Sequence, residues 1–345
     1  MRLDLKIKIC LFLIILVSII VILTITPKKQ EKVVVVYVSH DQDYSEPILK
    51  EFEKKYEVRV TAVYDTEATK SVGLVNRILA EKSNPQADVF WNNEPIGTVY
   101  LKKAGVLEPY CSPNAKDIPE QFKDKDCYWT GFAARARVII YNTRLINESE
   151  APKSIYDFLD PKWKGKACIA DPRFGSTRSH IASLFALLGV ENAKKLLEEM
   201  VKNDVKVVAS NSMVRDMVVA GKCWFGLTDT DDAFDAIREN KPIKIIFPDQ
   251  DSFGTFVFPN TVMLIKGAKH KEEAKLLIDY LLSPEVERKL AQSALQLPLK
   301  TSVRNNVTLP IDWGNVKSYE VNFEEVCDYL NISQKYAKEI LLKIK

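Results

Sequence analysis

The run Val33–Ser39, VVVVYVS, constrains this chain more than any other stretch. β-Branched residues without polar alternation fit a strand covered on both faces. The segments after it repeat one scheme. SEPILKEFEKKY puts Ile48, Leu49 and Phe52 on one helical face, and VRVTAVY reads as a second strand. Val72, Val75, Ile78 and Leu79 then recur at helical spacing before the short strand ADVFW. This β-α-β-α-β series predicts a parallel sheet with helices on both faces. The alternation continues through RVIIY, KACIA, KVV, CWFGL, IKIIF and TVMLI, with helical stretches such as STRSHIASLFALLG and TDDAFDAIREN between them. Two helices, EEAKLLIDYLL and PEVERKLAQSAL, come next. With 46% hydrophobic residues and only 12 Gly in 345, the chain can fill such cores, which excludes disordered and collagen-like classes. A net charge of +3, without a basic stripe interleaved with aromatics, excludes a nucleic-acid partner from the expectations.

Ahead of this series, Ile9–Ile25 reads ICLFLIILVSIIVILTI, uncharged and preceded by Arg2, Lys6 and Lys8. That is the pattern of an export signal or a membrane anchor. The run passes through Thr26 and Pro27 into Lys28 and Lys29 without an A-x-A-like site, so an uncleaved anchor is expected, with residues 1–30 as anchor and tether. The remainder is then extracytoplasmic, where cysteines pair. Cys111 and Cys127 bracket a polar loop and are expected to be joined. Cys168 and Cys223 sit in apolar strand-like runs and read either as a second bridge or as two buried thiols.

In open α/β sheets ligands collect beyond the carboxyl ends of strands. The loops Ser39–Asp43, Trp91–Glu94, Asp171–Thr177 and Thr228–Asp232 stand at such ends. Glu94 reads as a ligand contact or as the cap of a helix starting near Ile96. In TDTDD, three carboxylates within four residues exceed what one cap needs, so Asp229, Thr230, Asp231 and Asp232 are candidates for a site that holds a cation or donors. FGSTRSH opens a helix with free N–H groups and hydroxyls, so Gly175, Ser176 and Thr177 are candidates for anion contact. Arg135 and Arg137 are expected to point to opposite faces of a strand, one reaching the cleft and the other solvent. His40 and Asp41 follow the first strand, and Trp91 lies at a strand end where it lines the cleft or belongs to the core.

Taken in order, VVVVYVSHDQDYSEPILKEFEKKYEVRVTAVY, QADVFWNNE, AGVLEPY, ARARVIIYNTRLI, DPKWKGKACIADPRFGS and VVAGKCWFGLTDTDDA resemble the extracellular solute-binding proteins of ABC importers, nearest the ferric-iron branch. The resemblance implies a two-lobed, type II periplasmic-binding-protein-like α/β fold with a ligand cleft, here preceded by the apolar anchor helix. It implies a first lobe of residues 31–130 plus 241–300 and a second of 131–240 plus 301–345. It further implies a binding role without catalysis, no required cofactor, a monomer, and an ABC permease as partner. The transported ligand would be Fe(III) with carbonate or phosphate, or else a phosphorylated or phosphonate solute. Glu94 matches the family's Glu ligand, which makes Glu94 and Asp231 the expected metal contacts. The adjacent tyrosines that supply phenolates in ferric members are absent, and Thr228–Asp232 stands in their place.

Overall fold

The run VVVVYVS forms β1 (Val33–Val38), the central strand of the first half of a mixed sheet. The computed structural model describes residues 4, 7, 9, 10, 12, 31–65, 70–309 and 315–343. The chain divides into Met1–Lys32 and Val33–Lys345, and the core lies in the second unit. Most of the apolar run Ile9–Ile25, on which the anchor expectation falls, lies outside the described residues. Among those described, no helix is long and apolar enough to cross a membrane.

After β1 come α1 (Gln42–Tyr56), β2 (Arg59–Tyr64), α2 (Val72–Ala80), β3 (Val89–Asn92), α3 (Pro95–Lys103) and the short β4 (Leu107–Glu108). β5 (Thr130–Asn142) is followed by β6 (Ala167–Ala170), α4 (Gly175–Leu188), α5 (Val190–Lys202), β7 (Lys206–Val208), α6 (Asn211–Val219), β8 (Phe225–Asp229), α7 (Thr230–Arg238) and β9 (Ile243–Ile246). The last elements are β10 (Val257–Ile265), α8 (Lys271–Leu281), α9 (Pro284–Ala294), α10 (Thr301–Arg304), α11 (Phe323–Asp328) and α12 (Leu330–Tyr336).

The strands run in the order β2-β1-β3-β10-β5-β8-β6-β7, with β4 on β10 and β9 on β5. The βαβ units are parallel as expected, β1 with β2 and β3, and β6 with β7 and β8. β10 and β5 overturn the all-parallel reading. β10 runs antiparallel to β3 and β5, and β5 runs antiparallel to β8 and β9. The reason is β5 itself, a single buried strand that pairs with β10 through Thr130–Ala136 and with β8 from Arg137 onward. It crosses from one half of the sheet to the other, and the chain returns across the same seam between β9 and β10, where Arg137 N–H donates to Phe256 O at 2.9 Å.

The first half is sandwiched. Val34, Val36, Val38, Phe52, Leu277 and Leu281 pack on one face, and Tyr37, Leu74, Val75, Ile78, Phe90 and Val99 on the other, so β1 is buried on both sides as its composition demanded. In the second half Ile169, Phe185, Leu197 and Phe225 form an equivalent core. Residues 301–345 do not all join that second half. Lys300 and Ser302, at the start of α10, bond Asp117 on the first side. α11 sits against both α3 and α4, with Phe323 on Phe122 and Trp129 and with Lys102 reaching Glu324 at 2.7 Å. α12 packs against the second-half helix α4, and the turn after it packs against α5. Cys111 and Cys127 are disulfide-bonded, whereas Cys168 and Cys223 are buried free thiols, which settles the open alternative for that pair.

Candidate functional site

Helix N-termini converge at the seam that β5 crosses. α1 starts after Asp41, α2 after Ser71, α4 at Gly175, α6 after Ser210 and α7 after Asp229. Each N-terminus presents N–H groups without intrahelical partners and a partial positive charge. An inner cavity of about 40 Å³ lies among them, lined by Asp41, Lys70, Asn93, Arg135, Asp171, Gly175, Ser176, Thr177, the segment Ser210–Ser212, Asp229 and Asp232. It adjoins an outer chamber of about 350 Å³, which shares Asp41, Lys70, Ser212 and Asp232 and adds His40, Tyr44, Tyr64, Arg215 and Asp235. The four strand-end loops named from the sequence therefore meet in one place. Lys70 and Ser210–Ser212 complete it and were missed, although the end of strand KVV followed by SNS carried the same signal as the other four.

Both arginines of β5 are buried, Arg135 at 2% exposure and Arg137 at 0%. This corrects the expectation of opposite faces, since residues two apart on a strand share a face. Arg137 Nη1 donates to Asp229 Oδ1 at 2.6 Å, to Asn211 Oδ1 at 2.9 Å and to Ser176 Oγ at 3.2 Å. Arg135 Nη1 donates to Asp231 Oδ2 at 3.0 Å, and its Nη2 reaches the Asn93 carbonyl. Ser176 Oγ and Asn211 Nδ2 donate to the other oxygen of Asp229, at 2.5 and 3.0 Å. Thr177 Oγ1 donates to Asn211 Oδ1 at 3.3 Å, and Gly175, at φ 52°, occupies a left-handed conformation suited to glycine.

Asp229, Asp231 and Asp232 bring carboxylate oxygens within 4.8 Å of one another. Burial, opposed by Arg135 and reinforced by Asp229 and Asp41, pushes Asp231 up to about 6. Burial and then the neighbouring Asp231 and Asp229 raise Asp232 well above the ordinary carboxylate range. Of these three acids Asp232 is the one that lines both cavities. Asp41 goes the other way: burial acts to raise it, but the bonded Lys70 holds it below its usual value.

Of the remaining sequence candidates, Glu94, Trp91 and Thr230 line neither cavity, and His40 reaches the outer one. Glu94 is a helix cap: its Oε2 accepts from Ile96 N at 2.7 Å and from Ser179 Oγ at 2.5 Å, and its Oε1 accepts from Gly97 N at 2.8 Å. A Cβ on Gly97 would stand 2.5 Å from that oxygen, so the glycine makes room for the cap. Glu94 does not line either cavity, so the pairing of Glu94 with Asp231 as metal contacts is not assembled here. Trp91 is core, packed on Phe132 and His40 rather than facing the cleft. Thr230 is buried and its hydroxyl accepts from Ala136 N at 3.3 Å. His40 lines the outer chamber, and burial lowers it to about 3, so the ring is neutral. The two tyrosines of that chamber are protonated phenols. Tyr44 donates to Asp235 at 2.6 Å and is raised by burial and that carboxylate, and burial pushes Tyr64 up to about 12.

Two sides of the seam are tied together around these cavities. Tyr44 of α1 reaches Asp235 of α7, Ser179 of α4 reaches Glu94 ahead of α3, and Gly175 N donates to Lys70 O at 3.2 Å. Chemically the arrangement holds oxyanions at helix N-termini beside guanidinium and ammonium groups, and offers carboxyls to a cation or to hydroxyls.

A family model described as bacterial extracellular solute-binding protein matches residues 87–317. Iron uptake protein A1 of Synechocystis sp. is 29% identical over 279 residues, covering 77% of this chain and 76% of that protein. Among solved structures, the ferric binding protein from Campylobacter jejuni superposes with a TM-score of 0.78 at 23% identity, over 89% of this chain and 99% of that one. The periplasmic binding protein AfuA from Actinobacillus pleuropneumoniae, with fructose-6-phosphate bound, has a TM-score of 0.79 at 26% identity, over 91% and 100%.

Proposed function

The chain belongs to the bacterial extracellular solute-binding protein family, and from that membership we propose that it is the receptor of an ABC import system, taking ferric iron with an oxyanion from outside the cytoplasm and delivering it to a membrane permease. The observation that carries the cargo is the convergence of Asp41, Asp229 and Asp232 with the hydroxyl-bearing N-termini of α4 and α6 on one cavity, with the Asp231 carboxylate close behind them. A hard trivalent cation prefers anionic oxygens, and an accompanying anion is served by Gly175, Ser176, Thr177 and Ser210–Ser212. Two similar proteins are named for iron uptake and ferric binding.

In this reading the halves of the sheet on either side of the β5 crossing are the two lobes, 31–130 with 241–300 and 131–240 with the last helices. They close on the solute about the two strands of the seam, and contacts made only in the closed form supply the affinity. No step of this role requires catalysis. Ile9–Ile25 would hold the receptor at the membrane.

A phosphorylated organic solute is the second reading, and one observation favours it. Arg135 and Arg137 already pair with Asp231 and Asp229, which supplies the charge balance that a metal would otherwise supply. The likeness to a protein with fructose-6-phosphate bound agrees with it. Calorimetry on ligand-stripped protein separates the two. Fe(III) with bicarbonate or phosphate is titrated in one series and fructose 6-phosphate in another, each repeated on Asp232→Asn and Ser176→Ala. Iron dependence lost in Asp232→Asn supports the first reading. Metal-independent binding of the phosphate ester, weakened in Ser176→Ala, supports the second. A neutral solute that binds both variants like the parent overturns the assignment of the cleft.

A further inference from the structure

We infer that His40 is locked as the neutral Nδ1–H tautomer and serves the cargo as a hydrogen-bond donor to an oxygen acceptor, not as a metal ligand. The inference rests on the reading of the cleft as a cargo site and goes beyond it in assigning the atom and its role. The lock is a buried chain of hydrogen bonds that begins at groups whose polarity is fixed. The carbonyl of Ala133 can only accept, and it is approached by the side-chain nitrogen of Asn260 at 2.6 Å. Asn260 Nδ2 also donates to Gln296 Oε1 at 2.8 Å, which fixes the orientation of the glutamine amide. Gln296 Nε2 is then the atom 3.1 Å from His40 Nε2. An amide nitrogen cannot accept, so His40 Nε2 carries the lone pair and the ring proton sits on Nδ1.

The far end of the chain is held equally firmly. Ala133, at φ 44°, is a bulge residue whose N–H donates to Glu287 Oε1 at 3.1 Å. Glu287 also accepts from Leu299 N at 2.9 Å and Lys300 N at 2.8 Å. Asn260 follows Pro259 at the register shift in β10. The bulge in β5 and the register shift in β10 thus set the tautomer of a cleft residue. His40 is buried, packed between Trp91 and Tyr44, and lines the outer chamber, yet its Nδ1 has no partner. A buried donor without an acceptor is costly unless a ligand supplies one, and a proton on Nδ1, with Nε2 already engaged, leaves no lone pair for a metal. The cargo that fits carries oxygens beyond the inner cavity, in phosphate, carboxylate, carbonyl or hydroxyl form.

Long-range ¹H–¹⁵N NMR of the imidazoles in the unliganded full chain tests the tautomer, with His40→Asn identifying the signals. A protonated Nδ1 and an unprotonated Nε2 at pH 7 are expected, and an Nε2–H tautomer or an imidazolium overturns the inference. The same spectra are recorded with diamagnetic Ga(III) plus phosphate and with fructose 6-phosphate. Retention of the Nδ1 proton with a shifted resonance on either probe supports the donor role, and an Nδ1 that loses its proton to Ga(III) overturns it while leaving the metal reading intact. Binding of the phosphate ester alone, with the His40 shift, sinks the metal reading and leaves this one standing. A bound probe with no His40 shift overturns the donor role. For whichever probe binds, His40→Phe is expected to weaken affinity about 10-fold, whereas His40→Asn, which keeps an N–H near Nδ1, stays within about 3-fold. Equal losses in the two variants, in proteins that melt alike, count against the donor.

Discussion

Replacing Arg137 by Met isolates the energetic logic of the site, because it removes the charge and keeps most of the volume. In the parent, Asp229 Oδ1 accepts from Arg137 at 2.6 Å, while Oδ2 accepts from Ser176 and Asn211, and Arg135 stands 3.7 Å away. The substitution leaves one oxygen of a buried carboxylate without a donor. Breaking such a pair from one side costs about 3–5 kcal/mol, and the surviving donors on Oδ2 place this case near the lower end, about 3 kcal/mol. For a unit of this size each kcal/mol moves the melting temperature by about 2 °C, so Arg137→Met is expected to melt about 6 °C lower by calorimetry or circular dichroism. The double variant Arg137→Met with Asp229→Leu removes both charges and is expected to recover about half of that loss, since replacing a whole buried pair is far cheaper than orphaning one member. Melting of Arg137→Met within 1 °C of the parent, or additive losses in the double variant, would refute the claim that these charges act as a pair.

Acidification supplies a second test. Burial, followed by the charge of Arg137, lowers His180 well below its ordinary value, so the native ring stays neutral while the unfolded chain takes up a proton below about pH 6.5. The unfolded state then binds more protons, and the His180 contribution falls as pH falls, by about 2 kcal/mol at pH 5. His180→Phe, which retains a ring against Phe256, is expected to lose less melting temperature between pH 7 and pH 5 than the parent, and an unchanged slope refutes the assignment. Reduction is the third: Cys111 and Cys127 are 16 residues apart in sequence, and opening a loop of that length costs about 3 kcal/mol. Dithiothreitol is expected to lower the melting temperature of the parent and to leave a Cys111→Ser/Cys127→Ser variant unmoved.

The βαβ units were legible because each strand and helix shows its own hydrophobic period, and that period survives whatever the partners are. β5 and β10 were legible only in their apolar stretches, RVIIY and TVMLI, and not in their full length or direction. β5 carries Arg135 and Arg137 in its interior, and their burial is made tolerable by Asp231 and Asp229, about a hundred residues downstream. No local window holds both members of either pair, so the arginines read as polar strand edges. In β10, Pro259 lacks an N–H and Asn260 interrupts the apolar run, a combination that signals a break. The fold places it at a register shift where the Asn side chain serves the backbone of β5.

The same distinction runs through the candidate site residues. Position was readable: loops at the ends of strands meet in the cleft because the topology sends every such end there, and Asp41, Ser176, Thr177, Asp229 and Asp232 all arrive. Role was not readable where one side chain has two uses. Glu94 satisfies the first N–H groups of α3, and a carboxylate that accepts two backbone donors and the Ser179 hydroxyl has little left to offer a cation. Asp229 and Asp231 are spent on arginines, while Asp232, one residue further along the first turn of α7, remains turned to both cavities. Three acids that look equivalent in TDTDD thus divide into two that pair with the arginines of β5 and one that faces both cavities. The division is set by which face of β5 the arginines occupy, a property of the three-dimensional pairing that spacing alone does not carry.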